Sequence, residues 1–185
     1  MARPTPRLVA PDTLDPVDVE TAIRTRRTHK AFAPEPVPKF VLDELLDLAC
    51  WAPNHHLSAP WRFRVVGPRA LERLKQAAGP EGATKLDRAP TLVIASCVLG
   101  GDPVADEEDL HTAAVASYIV LLAAHAHGIA GYWRTPAFLR TERGREAVGL
   151  GPDERFVGLI HLGHPRQEQQ PPERPPSSQT TTYLD

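Results

Sequence analysis

Cysteine is almost missing from this 185-residue chain: Cys50 and Cys97 are the two present, and they form no Cys-x-x-Cys pair. That excludes a disulfide scaffold and a thioredoxin-like redox motif, and it points to a reducing, cytoplasmic setting. An excess of either charge is also missing. Lys and Arg number 21 against 23 Asp and Glu, a formal net charge of -2. Such a balance creates no broad field for nucleic acid or an anionic membrane, so neither is expected as a partner. The longest apolar stretch, Val115 to Leu122, is too short to span a bilayer, and Met1 to Ala10 carries Arg3 and Arg7 without a secretory apolar core. Three signatures are absent as well: Gly-x-Gly-x-x-Gly, the phosphate-loop Gly-Lys-Thr, and a glycine–serine nucleophile elbow. A P-loop kinase or a serine hydrolase would need unusual machinery.

What remains is a chain with 42% apolar residues, enough for one domain with a real core, and with 20 prolines gathered toward both ends. The ends, 1–15 and 165–185, read as extended arms around a domain over 16–164. Asp15-Pro16 reads as a helix cap followed by a first-turn proline, with Asp18 at the third helical position, opening a helix over about 16–24. Pro38 starts a second helix, whose apolar residues Val41, Leu42, Leu45, Leu46 and Ala49 recur at helical spacing. Trp61, Phe63 and Val65 alternate with Arg62 and Arg64, predicting a strand over 61–66 with one exposed side. A charged helix over 68–78 is expected to stop at a turn around Gly79-Pro80-Glu81-Gly82. Thr91 to Cys97 is continuously apolar, as in a strand buried on both faces. Gly100 to Glu107 reads as an acidic loop before a long Ala-rich helix, 108–127, closed by Gly128. A short helix over 142–148 and an apolar strand over 156–162 complete an α+β pattern.

Several polar groupings could carry chemistry. Arg26-Arg27-Thr28 offers guanidinium forks and a hydroxyl suited to a phosphate or a pyrimidine carbonyl, or else a solvated basic patch. Trp51 and His55 stand with Asn54 and His56 after a helix end. His55, His56, His161 and His164 invite a zinc reading, but His161-x-x-His164 lacks the glutamate of a catalytic zinc helix, and no metal is expected. Trp133, Arg134 and Thr135 follow Gly131-Tyr132; an indole, a basic fork and a hydroxyl suit a flat polar ring, or a core tryptophan beside a surface arginine. Gly163-His164-Pro165-Arg166 places another arginine just after the last strand.

The order of these motifs resembles the nitroreductase family, closest to its minimal bacterial branch. The resemblance runs from Arg26-Arg27-Thr28-His29-Lys30 through Pro36-Val37-Pro38, then Ala52-Pro53-Asn54-His55 with Pro60-Trp61-Arg62-Phe63, then Gly131-Tyr132-Trp133-Arg134-Thr135, and finally Gly158-Leu159-Ile160-His161-Leu162-Gly163-His164-Pro165. It departs from the family at Ala59, where a glutamine is common before Pro-Trp, and at His56. The insert that covers the active site of larger members is missing.

The resemblance implies a three-layer α+β sandwich with a mixed, mainly antiparallel sheet, an intertwined homodimer, and FMN sites at the interface. It implies FMN contacts from Arg26, Arg27, Thr28, Trp51, His55, Trp133, Arg134 and Thr135, built from both chains, with the first and third groups often on different subunits. It further implies that the C-terminal arm packs on the partner, and that 123–128 lies near the nicotinamide. The implied reaction is ping-pong: hydride passes from NADH or NADPH to flavin N5 and on to a nitroaromatic, quinone or similar flat acceptor. No side chain is assigned as a catalytic acid or base, because the cofactor carries the hard chemistry. The rivals are other FMN chemistry on this scaffold (dehalogenation, enone reduction or dehydrogenation), a non-catalytic flavin-binding protein, and a metal-dependent hydrolase using the four histidines.

Overall fold

The computed structural model describes residues 17–184. The expected arm over 1–15 and the expected cap at Asp15-Pro16 lie outside the described residues. The first described helix, α1 (Val19–Thr25), is capped by Asp18, whose carboxylate accepts the Thr21 N–H at 3.0 Å. Asp18 is therefore the cap and not the third helical residue, because a carboxylate just outside the first turn meets an otherwise unpaired amide.

Helix α2 (Lys39–Ala49) buries Leu42, Leu45 and Ala49, the stripe expected from the 3.6-residue spacing. Strand β1 (Trp61–Val65) follows. Helix α3 (Pro68–Leu86) runs eight residues beyond its expected end. Gly79 takes φ 70°, which breaks the first segment, and Pro80 starts a second one instead of ending the helix. Strand β2 (Thr91–Val98) is followed by the long helix α4 (Pro103–Ala126). The expected acidic loop is shorter than the sequence suggested. Asp102 accepts from the Val104 and Ala105 amides and Pro103 occupies the first turn, so the helix begins five residues early. Gly128, at φ 70°, closes α4. Strand β3 (Ala130–Arg134), helix α5 (Glu142–Ala147) and strand β4 (Glu154–Gly163) complete the domain.

The strands form one sheet in the order β1-β2-β4-β3 with antiparallel pairing throughout. Its parallel component is confined to an isolated bridge between Thr28 and Gly131. Central position explains why β2 reads as continuously apolar: both of its faces are covered. Val93, Cys97, Ile160 and Leu162 pack with residues of α2 and α4. Leu92, Ile94, Leu159 and Phe156 pack on the other face with Leu74, Leu86 and Ala147 of α3 and α5. Helix α4 is long and apolar enough to cross a membrane by composition, but here its Ala113, Ala116, Val120 and Ala124 form core against the sheet.

Two titratable groups are built into this sandwich. Glu154 opens β4 and receives Arg64 at 2.8 Å together with the Ser96 hydroxyl. Burial pushes its carboxyl up, but these partners outweigh it and bring it to about 2. His161 lies on the α3 side, between Leu92 and Tyr132 across the strands, with no exposed surface. Its ring centre is 5.7 Å from that of Tyr132, and neither ring nitrogen has a hydrogen-bond partner. Burial, and then Arg134 and Arg88, push the imidazole down to about 3.

The unfolded chain therefore binds a proton at His161 between about pH 6.5 and 3 that the native chain refuses, so stability falls as pH drops through that window. Glu154 acts in the same direction between its ordinary value of 4.5 and about 2. Urea melts should show the native protein losing about 2 kcal/mol more than His161→Leu between pH ~7.5 and ~5, where Glu154 stays ionised. Equal losses in both proteins would show that His161 is not held neutral.

Candidate functional site

The extended segment after α1 lies along the free edge of β3. Thr28 bridges Gly131, and the His29 N–H donates to the Gly131 carbonyl at 3.2 Å. Side chains of this segment consequently lie beside the C-terminal end of α4 and the chain leaving β4. A cleft of about 710 Å³ opens there, lined by Thr25, Arg27, His29, His125, Gly128–Ala130 and Pro165–Gln169. Arg26 sits over the Tyr118 ring of α4, 5.7 Å from its centre, and lines a second recess of about 470 Å³ with Arg24 and Arg174. Arg26, Arg27 and Thr28 share a third, smaller recess with Gln169, Gln170 and Arg174. Arg166 lines the large cleft, and its N–H donates to the Ala31 carbonyl.

This wall has many donors and few acceptors. The Nε atoms of Arg26 and Arg27 and Nδ1 of His29 are buried without a partner. A buried unpaired donor costs about 1–3 kcal/mol, and more when charged, so Arg26 and Arg27 in their recess and His29 in the adjoining cleft favour acceptor oxygens at each. Burial and then Arg26 hold the His29 imidazole below its usual range; the same causes, joined by His29 and Arg27, lower His125. The residues present thus fit the phosphate end of a cofactor.

Trp133 is on the α4 side of β3. Its indole N–H donates to the Val157 carbonyl at 3.3 Å, and it lines a recess of about 470 Å³ with Leu110, His111, Ala114, Arg140 and Arg155. Gly158 makes room for it: a Cβ there would lie 1.9 Å from Trp133 Nε1. Arg134 is on the other face, its guanidinium 5.9 Å from the Tyr132 ring centre. Thr135 is exposed just beyond the strand.

Trp51 and His55 are elsewhere. Trp51 is 84% exposed past the end of α2. His55 packs edge-on against His56 at 3.9 Å in a loop where His56, Leu57 and Ala59 all have positive φ. Left-handed backbone in non-glycine residues costs roughly 1–2 kcal/mol each and tends to mark functional loops. The loop is tied down by Asn54, which accepts from the Ala59 N–H at 2.9 Å, by Ser58 on Asp109 at 2.9 Å, and by Thr112 on the Pro53 carbonyl at 3.2 Å.

Helix α4 decides which of these groups can meet. At 3.6 residues per turn, His111, Ala114, Tyr118 and His125 fall within roughly 60° of one face, whereas Asp109 and Thr112 point roughly the opposite way. The Arg26 and Trp133 groups therefore share one face of α4 within a single chain. The Trp51–His55 loop is anchored to the other. The Thr28–Gly131 bridge joins the first and third groups within one chain.

His161 is enclosed in the core, His164 is exposed, and His55 and His56 occupy the loop. Among the described residues, no group of three or more His, Cys, Asp or Glu side chains converges as a metal site. Sequence reasoning passed over His29 and His125 as site residues. His125 lies one heptad after Tyr118 on α4, a weak signal in an Ala-rich helix.

Comparison with known proteins bears on the family and the fold. The model of the Nitroreductase family matches residues 23–164. YfhC of Bacillus subtilis, named an NAD(P)H nitroreductase, is 28% identical over 172 residues, covering 83% of this chain and 88% of its own. A nitroreductase-like family protein from Bacillus cereus superposes with a TM-score of 0.84 at 20% identity, covering 94% of this chain and 99% of that one. A nitroreductase from Desulfovibrio desulfuricans, solved in complex with FMN, has a TM-score of 0.75 at 25% identity, covering 94% and 99% of the two chains.

Gly158→Ala should displace the Trp133 indole, cost about 1–3 kcal/mol of stability, and shift the tryptophan emission. Unchanged emission and stability would show that Gly158 does not cradle Trp133.

Proposed function

The chain belongs to the nitroreductase family, and from that premise we propose that it is an FMN-dependent NAD(P)H oxidoreductase acting on a flat, electron-poor acceptor such as a nitroaromatic or quinone. The observation that carries the proposal is the wall of unpaired buried donors at Arg26, Arg27 and His29, on a fold shared with an FMN complex. Bound there, FMN supplies the redox chemistry, taking hydride from a reduced nicotinamide and handing it to an acceptor.

The chain's own part is to bind, orient and stabilise charge. Arg26, Arg27 and Thr28 hold the cofactor through its phosphate and pyrimidine ends. Trp133, seated in its glycine cradle, gives a flat apolar surface beside the ring, and Thr135 adds a hydroxyl at the strand end. Arg26 supplies positive charge where the reduced ring gathers negative charge; Arg134, on the opposite face of β3 beside Tyr132, does not reach that ring in the same chain. No side chain needs to act as proton donor in a site open to water. The two substrates share one binding face and react in turn, which accounts for the ping-pong order.

The same proposal includes a homodimer. Trp51 and His55 lie on the wrong face of α4 to join Arg26 in one chain, so they serve the partner's site. Val19, Ile23, Trp51, Leu57 and Val115 are exposed apolar side chains, the pattern of an interface still uncovered. The described residues after Pro165 are exposed throughout and include Tyr183 and Leu184, both 91% exposed, which suits packing on a second copy. The domain is placed at 16–164 and the compartment as the cytoplasm.

Purified protein should carry flavin absorbance that bleaches anaerobically on addition of NADH or NADPH; protein that neither copurifies with FMN nor rebinds it would sink the proposal. Arg26→Ala should weaken FMN binding by about tenfold or more, since charge-assisted hydrogen bonds contribute about 1.5–3 kcal/mol; an unchanged Kd would reject that role. Val115→Asp, which puts a charge on the uncovered face of α4, should raise the dimer dissociation constant in sedimentation by tenfold or more, by analogy with burying an unpaired charge. Identical association of the two proteins would place the interface elsewhere.

A further inference from the structure

The large cleft holds two imidazoles: His29, whose buried Nδ1 belongs to the donor wall, and His125, which the proposed function leaves without a task. His29 comes from the extended segment and His125 from the last turn of α4, yet both line the cavity that contains Arg27 and Arg166. His125 Nε2 is 2.8 Å from Thr25 Oγ1, and His29 Nδ1 is buried and unpartnered. We propose that His29 and His125 recognise a terminal phosphate monoester in this cleft, and that its binding draws protons onto both rings. The proposal rests on the reading of the site as a cofactor-binding cleft and adds to it the residues that select a dianion.

The chemistry follows from the lining. A phosphate monoester presents three acceptor oxygens and carries a charge near -2 above its second pKa of about 6. Donors converge on the cleft from three elements: Arg27 and His29 from the segment after α1, His125 from α4, and Arg166 from the chain leaving β4. A carboxylate carries a single negative charge on two oxygens in one plane, a poorer match than a dianion with three terminal oxygens for donors arriving from three elements. Glu168 is the acidic side chain in the lining and opposes any anion, so the basic wall must outweigh it. Uncharged imidazoles leave that wall with its two guanidiniums alone.

The groups facing the rings fix the direction of the coupling. His29 faces Arg26, which lowers it, and a hydrogen bond with the Gln167 backbone raises it in part; His125 faces Arg26, His29 and Arg27. Burial is the first cause and these positive neighbours the second, and together they disfavour the protonated form of both rings in the free protein. A phosphate dianion reverses the local field and raises both. Between the free and bound values each ring takes up a proton on binding. Affinity therefore rises as pH falls, by up to about tenfold per pH unit per ring, until the phosphate itself is protonated near pH 6.

Two ligands carry such a group here: FMN, and NADPH through its 2′-phosphate. The test uses the full chain stripped of flavin, with FMN against riboflavin, and the reconstituted protein with NADPH against NADH. Measurements are made at about pH 8 and about pH 6.5, the window above the phosphate pKa. If FMN supplies the phosphate, FMN binds about tenfold or more tightly at the lower pH, riboflavin does not change, and the double variant His29→Gln/His125→Gln loses the response. If the donor supplies it, the NADPH-over-NADH preference carries the pH response and the double variant loses that instead; the proposal stands in either case.

Equal pH responses in wild type and double variant for both ligand pairs would overturn it. Histidine-ring NMR of the wild-type chain with added inorganic phosphate covers the possibility that the variant fails to fold. His29 and His125 signals moving toward the protonated form support the site, and unmoved signals reject it. If FMN fails to bind while these signals still move, the FMN reading falls and the phosphate site remains.

Discussion

The geometry of the site depends on one straight helix. α4 runs 24 residues across the sheet, and its Ala-rich inner face lets the backbone approach β2 and β4 closely. Close packing fixes the rotation of the helix about its own axis, because turning it by one residue would expose Ala116 and Val120 and bury His111 and His125. Once that rotation is set, Tyr118 and His125 must face the Arg26 segment, and Asp109 and Thr112 must face the loop after α2. A cylinder cannot bring its opposite faces to one ligand. The Arg26 segment and the loop after α2 therefore lie on opposite faces of one helix.

The basic wall beside α4 carries an energetic cost that the fold absorbs elsewhere. Arg26 and Arg27 each bury an Nε without a partner near the edge of β3, and Arg166 adds a third guanidinium to the neighbouring cleft. The positive field is limited by burial and neighbouring charges that disfavour protonation of His29 and His125, and by Arg26 lying over the electron-rich Tyr118 ring. The strained loop at His56, Leu57 and Ala59 is a second local cost, held in place by Asn54, Ser58 and Thr112. Against these stands a sheet whose two central strands are buried on both faces, joined by the Arg64–Glu154–Ser96 network. Function is thus placed at the periphery of a rigid core, where loss of a few interactions does not open the sandwich.

Much of the fold was legible in the chain. The alternation in Trp61-Arg62-Phe63-Arg64 located a half-exposed edge strand, and the unbroken apolar run from Thr91 located a central one. The helix boundaries were harder. Asp102-Pro103 is a cap and first turn of the kind expected at Asp15-Pro16, but the acidic residues around it disguised the helix start as a loop. Gly79-Pro80 reads as a turn because either residue alone ends a helix; in the fold, Gly79 redirects the chain and Pro80 restarts it.

For the site, the sequence by itself determined the chemistry available: guanidinium forks at Arg26 and Arg27, an indole at Trp133, a polar loop at Asn54 to Ser58, and an order of motifs that identified the family. Those are properties of residue type and spacing, which a linear chain displays directly. Only the tertiary structure decided which groups share a face, that His29 and His125 join the arginines, and that His161 is sealed in the core instead of pairing with His164. Each of these turns on the rotation of a helix or the register of a strand. Both are set by packing between segments far apart in the chain, and no local pattern contains that information.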